Sequence, residues 1–160
     1  MKTPGVYAMV DVSKRDASII SNIIHSCWDA IVVDYPHSFL IPQDYHATFL
    51  YSEAGDYRKI KPIVNVQYQA RIKDIEVWDT HDKCVVLILS APSLEERHKQ
   101  LMDEHNLEWD YLHYIPHITI CYDISPKKEP LANLKDKLVG RSLVLVNEQI
   151  EALDKEHSDV

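Results

Sequence analysis

A chain of 160 residues with 46% hydrophobic and 26% charged residues has the balance of about one folded domain, residues 1–160, and excludes a disordered polymer. Its net charge of -8 argues against a long polyanion as main partner, because duplex affinity rests on many Lys and Arg contacts, and leaves open a small anionic ligand in a locally positive pocket. The longest apolar run, Cys84 to Leu89, is far short of a bilayer span and Met1 to Val12 lacks a signal-peptide core, so a cytoplasmic protein without membrane association is expected.

In chain order, Gly5 to Val12 alternates as a strand, with Val6, Ala8 and Val10 on one face and Tyr7, Met9 and Asp11 on the other. Ser13 reads as a helix N-cap. Ile19, Ile20, Ile23, Ile24 and Cys27 then recur at helical spacing, which predicts a helix over roughly Lys14 to Asp29 that lays this stripe on a sheet. Tyr35-Pro36-His37 through Pro42-Gln43-Asp44 is turn-rich and leads into a strand over Tyr45 to Tyr51, after which polar Ser52 to Pro62 reads as a loop. Val64 to Asp79 reads as one or two strands, and Lys83 to Leu89 as a strand apolar on both faces, hence central. Ser93-Leu94-Glu95-Glu96 fits a capping box that opens a helix to about Asn106, on which Arg97 and His98 default to a solvated face. After a loop over Tyr111 to Pro116 comes a strand to Tyr122, then a short helix over Lys135 to Val139 closed by Gly140, and a last strand over Arg141 to Gln149. Cys27, Cys84 and Cys121 are scattered and odd in number, which fits reduced thiols.

Two of these strands carry the chemistry. Tyr45-His46-Ala47-Thr48-Phe49-Leu50-Tyr51 and Pro116-His117-Ile118-Thr119-Ile120-Cys121-Tyr122 each hold a His and a Thr two residues apart, and each has a Tyr five residues after its His. Alternation puts His46 with Thr48, and His117 with Thr119, on one face, and sends Ala47, Phe49 and Tyr51, or Ile118, Ile120 and Tyr122, to the other. One such tripeptide is an ordinary half-buried strand. Repetition of the whole pattern, in the order strand, helix, His strand, then strands, helix, His strand, suggests two pseudo-symmetric lobes facing each other across a cleft.

The paired motif resembles the two-histidine (2H) phosphoesterase superfamily, and within it the phage anti-CBASS nucleases, which degrade the cyclic oligonucleotide alarms of bacterial antiphage defence. The resembling stretches are Gly5-Val6-Tyr7, Tyr45-His46-Ala47-Thr48 with Tyr51-Ser52, Glu76-Val77-Trp78 followed by Thr80, Val85 to Leu89, Arg97-His98, and Tyr114-Ile115-Pro116-His117-Ile118-Thr119 with Tyr122. The resemblance implies an α+β, bilobal 2H phosphoesterase fold, with two antiparallel sheets facing a central cleft and helices outside. It implies His46, Thr48, His117 and Thr119 as catalytic residues and supports Trp78 as a base-stacking platform, the alternative for Trp78 being core packing. Tyr7, Tyr122 and Glu148 are the further candidate substrate contacts: Tyr7 either meets a phosphate or base or is an ordinary half-buried Tyr, and Glu148 either reads a base edge or faces water. Relatives can place a Trp near the C-terminus after the matching Glu; here Glu148 fits, Trp is absent and His157 stands in that region.

Imidazole titrates near neutrality, so one His can act as base while its partner, protonated beside a phosphate, acts as acid. This chemistry suits attack of a ribose 2′-hydroxyl on the adjacent phosphorus, with the Thr hydroxyls on the non-bridging oxygens. No cofactor or metal is expected: His113 with His117 lies on no convincing helix and no carboxylate completes a ligand set. The expected substrate is a cyclic di- or trinucleotide, with RNA ends bearing 2′,3′-cyclic phosphates and non-catalytic nucleotide sequestration as alternatives. Nothing in the sequence points to an oligomeric state.

Overall fold

Alternating apolar residues become one buried sheet face, and helical stripes cover it. In the computed structural model, which describes residues 4–28, 39–79, 83–109, 113–122 and 128–153, the strands are β1 (Val6–Val12), β2 (His46–Ser52), β3 (Gln67–Asp79), β4 (Lys83–Ser90), β5 (His117–Tyr122) and β6 (Ser142–Glu151). The helices are α1 (Lys14–Trp28), α2 (Pro92–His105) and α3 (Lys128–Leu138). Ala17, Ile20, Ile24 and Cys27 of α1, Leu94 and Leu101 of α2, and Leu134 and Leu138 of α3 share one core with Val6, Ala8 and Val10 of β1 and with Leu87 and Leu89 of β4. Burying an Ile or Leu side chain of this kind contributes about 1.5–3 kcal/mol.

The strands are antiparallel and run in the order β2-β1-β6-β3-β4-β5. The two separate sheets expected from the sequence are therefore wings of a single one. The physical reason is the reach of β6, whose Ser142–Val146 pairs with Arg71–Gln67 of β3 while Leu145–Glu151 pairs with Val12–Tyr7 of β1. Beyond Arg71, β3 continues on β4 alone; beyond Val146, β6 continues on β1 alone. Left-handed Asn147 (φ 60°) sits where the wings part. The outermost strands, β2 and β5, come into contact with each other, and this brings the two His-x-Thr motifs together.

Local signals explain most boundaries. Ser13 Oγ accepts from the Asp16 backbone N–H at 3.3 Å, the N-cap contact, and donates to the Asp16 carboxylate at 2.8 Å, while the Ser13 N–H donates to the Val144 carbonyl at 2.9 Å. Asp16 also accepts from the Val144 backbone N–H at 2.8 Å, tying α1 to β6. α2 starts before Ser93: Ala91 is its N-cap, Pro92 takes the first helical position, and Glu95 reaches back to the Ala91 N–H at 3.3 Å. α3 starts well before Lys135, with Pro130 in its first turn, where a missing N–H costs no helical bond. β3 starts at Gln67, because Val64 and left-handed Asn65 (φ 59°) form a turn.

Candidate active site

Each His-x-Thr motif opens its strand, and each His is fixed from one side by the chain just before it. The Asp44 carbonyl, at the end of a 3-10 turn over Pro42–Asp44, lies 2.8 Å from His46 Nδ1. The Ile115 carbonyl lies 2.9 Å from His117 Nδ1. A carbonyl oxygen only accepts, so Nδ1 carries the hydrogen in both rings and Nε2 is the basic nitrogen of the neutral form. The same contact, to the carbonyl two residues earlier, is built twice.

Thr48, Thr119 and His117 are all buried, with 4%, 8% and 8% of their surface exposed, whereas His46 is more open. Burial holds the proton affinity of His117 below the ordinary imidazole range; the Ile115 carbonyl partly opposes this, and the nearby His46 charge adds to it. The Tyr7 hydroxyl lies 3.0 Å from Thr48 Oγ1 and 3.4 Å from His46 Nε2. With Nδ1 protonated, Nε2 of neutral His46 accepts, which sets a chain from the Thr48 hydroxyl through the Tyr7 hydroxyl to the imidazole. Tyr7, expected as a substrate contact, thus places its hydroxyl on two residues of the first motif.

A β-bulge in each wing alters the expected faces. Ala8 pairs with Leu50 and Met9 with Thr48, leaving Phe49 as the extra residue of β2. Val85 pairs with Cys121 and Val86 with Thr119, leaving Ile120 as the extra residue of β5. An inserted residue shifts alternation by one, so Tyr51 and Tyr122 turn onto the His face rather than away from it. Tyr51 meets Tyr7 edge-on, ring centroids 6.4 Å apart. Tyr122 and Trp78 pack on Cys84, Val86 and Ile88, a small cluster separate from the helix-covered core. The Trp78 ring lies 4.4 Å from that of His117, tilted by 54°, and its Nε1–H donates to Glu76 at 3.2 Å.

Glu148, expected to read a base edge, is taken up elsewhere. Its side chain has 0% exposure, and four donors reach its carboxylate: Arg97 Nε and Nη2, both at 3.0 Å, the Tyr68 hydroxyl at 2.8 Å and the Ile63 backbone N–H at 2.7 Å. Four donors match the roughly four lone-pair positions of a carboxylate, so no acceptor is left for a base. Burial first, and the Glu148 carboxylate second, raise the Tyr68 phenol well above its ordinary range. Arg97 is correspondingly buried rather than solvated, and a further bond runs from its Nη2 to the Lys61 carbonyl at 3.1 Å.

Sequence reasoning also missed Tyr51 as a site residue, and the pair His98 and Tyr114, which bond the β2 backbone behind Thr48. The five-residue spacing from His to Tyr was the one available signal for Tyr51; the partners of Arg97, His98 and Tyr114 are 36 or more residues distant in sequence and left none. Thr80, His157 and the segment 35–37 lie outside the described residues. Among the described residues, no three His, Cys, Asp or Glu side chains are grouped to hold a metal ion, and no helix is long and apolar enough to cross a membrane.

Residues 4–160 match the family model described as anti-CBASS protein Acb1. Two phage proteins of that name are similar in sequence. The one from Vibrio phage KVP40 is 34% identical over 122 residues, 73% of this chain and 71% of the relative. The one from Acinetobacter phage Ac42 is 32% identical over 81 residues, 50% of this chain and 51% of the relative. Among solved structures, a phosphoesterase superposes with a TM-score of 0.56 at 15% identity, covering 92% of this chain and 87% of its own. LigT of E. coli, solved with ATP, gives 0.55 at 15% identity, covering 98% and 91%. At these identities the structural likeness establishes the fold, that of the 2H phosphoesterases.

Proposed function

The chain belongs to the anti-CBASS protein Acb1 family, and on that premise we propose that it is a metal-independent phosphodiesterase acting on cyclic di- or trinucleotides. It hydrolyses their 3′-5′ bonds, 3′,3′-cyclic GMP-AMP being a representative substrate, in the cytoplasm of an infected bacterium, and so counters CBASS defence. The observation that carries this reading is the repeated device at the strand starts: two imidazoles, each with Nδ1 pinned on a carbonyl and each followed by a buried Thr, close enough for the charge of one to oppose protonation of the other.

The asymmetry of the two imidazoles supports one division of roles. His117, buried and held neutral, is the starting base: its Nε2 takes the proton of the ribose 2′-hydroxyl as that oxygen bonds to phosphorus. His46, more open and stabilised as imidazolium by the substrate phosphate, gives its Nε2 proton to the departing 5′-oxygen as the P–O5′ bond breaks. The product is a 2′,3′-cyclic phosphate, which water opens with the two roles exchanged. While His46 is protonated, the Tyr7 hydroxyl donates to Thr48 Oγ1, and the Thr48 hydroxyl is released to donate to a non-bridging oxygen. Thr119 serves the other oxygen. Trp78 offers a base a stacking platform beside His117, worth about 1–3 kcal/mol, with Tyr51 and Tyr122 on the same sheet face as the two histidines.

A substrate with a 2′-deoxyribose at the cleaved linkage tests the mechanism. It binds but is not cut, since it lacks the nucleophile; cleavage at the ribose rate would show that water attacks phosphorus directly and that His117 does not deprotonate a 2′-hydroxyl.

A further inference from the structure

Thr48 and Phe49 lie at the bulge of an outermost strand, which pairs along one edge with β1. Their carbonyls are nonetheless held. The Tyr114 hydroxyl donates to the Thr48 carbonyl at 2.7 Å, and His98 Nδ1–H donates to the Phe49 carbonyl at 2.6 Å. The two donors stack on each other, ring centroids 4.4 Å apart at 26°, and Trp109 closes the cluster edge-on, 4.9 Å from His98 and 5.7 Å from Tyr114.

Tyr114 belongs to the lead-in of the opposite catalytic strand. In that short segment the Ile115 carbonyl orients His117, and the Pro116 carbonyl accepts from the Leu89 N–H of β4 at 2.9 Å. One stretch therefore sets His117 and grips the backbone of Thr48. In the sheet ladder, β2 connects to β5 through the four intervening strands, and among the described residues a second short link runs from the stretch before β2, where the Leu40 N–H donates to the Ile120 carbonyl of β5 at 2.9 Å.

We propose that Tyr114, supported by His98 and Trp109, is a positioning residue that ties the two His-x-Thr strands together and fixes the separation of His46 from His117. Tyr114 and His98 act through the Thr48–Phe49 backbone, whose carbonyls take up their donor atoms. In-line displacement needs base, phosphorus and acid aligned, and a misplacement of about 1 Å costs on the order of 100-fold in rate. The proposal rests on the phosphodiesterase reading for its kinetic consequence, but not for its geometry.

The test is Tyr114→Phe, which removes one hydroxyl and keeps the stacked ring. Two readouts are needed. With 3′,3′-cyclic GMP-AMP, kcat is expected to fall about 10- to 100-fold while KM stays within about threefold, because the binding surface is untouched. Without substrate, His ring proton NMR follows the displacement of the His117 titration caused by His46→Ala; that displacement is expected to shrink in the Tyr114→Phe background as the imidazoles separate. His98→Asn, whose amide keeps a donor near the Nδ1 position, is expected to retain most of kcat, and His98→Leu to lose it as Tyr114→Phe does. An unchanged His46-dependent displacement in Tyr114→Phe would overturn the tie, as would an unchanged kcat. Inactivity of the parent enzyme on the cyclic dinucleotide, with the NMR coupling still weakened by Tyr114→Phe, would overturn the substrate reading and leave the tie standing.

Discussion

Replacing Arg97 with Met separates a structural role for Glu148 from a substrate-reading one. Met retains much of the apolar stem but removes three hydrogen bonds: two to Glu148 at 3.0 Å and one to the Lys61 carbonyl at 3.1 Å. Glu148 then keeps Tyr68 and the Ile63 N–H but loses its cationic partner, inside a site where its side chain has 0% exposure. Leaving one member of a buried ion pair uncompensated costs about 3–5 kcal/mol, a large share of the roughly 5–15 kcal/mol that holds a domain folded. At about 2–4 °C per kcal/mol for a chain of this size, Tm falls by about 6–20 °C. Urea unfolding followed by fluorescence of the three tryptophans should show the midpoint dropping by about 1–3 M with the slope unchanged. Glu148→Gln, which keeps shape and one acceptor but sets an amide against the guanidinium, should cost about 1–3 kcal/mol. A wild-type midpoint for Arg97→Met would refute the structural role. So would Glu148→Gln unfolding at the wild-type midpoint while losing affinity for the cyclic dinucleotide, because that would make the carboxylate a base reader.

Trp78→Ala removes the platform beside His117 and should weaken substrate binding about 5- to 150-fold, the equivalent of one stacked base; an unchanged KM would assign the ring to packing alone. Acidification provides another check. Burial holds both His117 and His98 below the ordinary imidazole range, so below about pH 6.5 the unfolded chain takes up protons that the folded chain refuses, and stability falls as pH drops. The urea midpoint at pH 5.5 should therefore lie below that at pH 7.5, with a slope of at most about 1.4 kcal/mol per pH unit for each histidine. His98→Asn should flatten that dependence, and equal midpoints for the parent protein would show that both rings are protonated in the fold.

Which parts of this molecule could be read from sequence follows from the range of the forces involved. Alternation in β1 and the helical stripe of Ile20, Ile24 and Cys27 are local signals, and the structure buries those residues as the pattern requires. His46, Thr48, His117 and Thr119 were legible because each pair sits within one strand, before its bulge. The bulges at Phe49 and Ile120 were not, since an extra residue is defined only against the partner strand; this is why alternation alone places Tyr51 and Tyr122 on the wrong face. Fusion of the two wings likewise depends on which strands β6 can reach at once. Arg97 and Glu148 lie 51 positions apart, so neither carries a local mark of the other, and a lone Glu on a strand reads as a free hydrogen-bonding group.

The most direct measurement is incubation of the purified protein with 3′,3′-cyclic GMP-AMP in the presence of EDTA, beside His117→Ala, with products resolved by chromatography and mass. The expected result is linear product from the parent protein, by way of a 2′,3′-cyclic phosphate, and a rate lower by about 100- to 10,000-fold in the variant. Intact cyclic dinucleotide with the parent protein would contradict the proposed substrate and turn attention to RNA ends carrying 2′,3′-cyclic phosphates. Equal cleavage by His117→Ala would contradict the two-histidine mechanism itself.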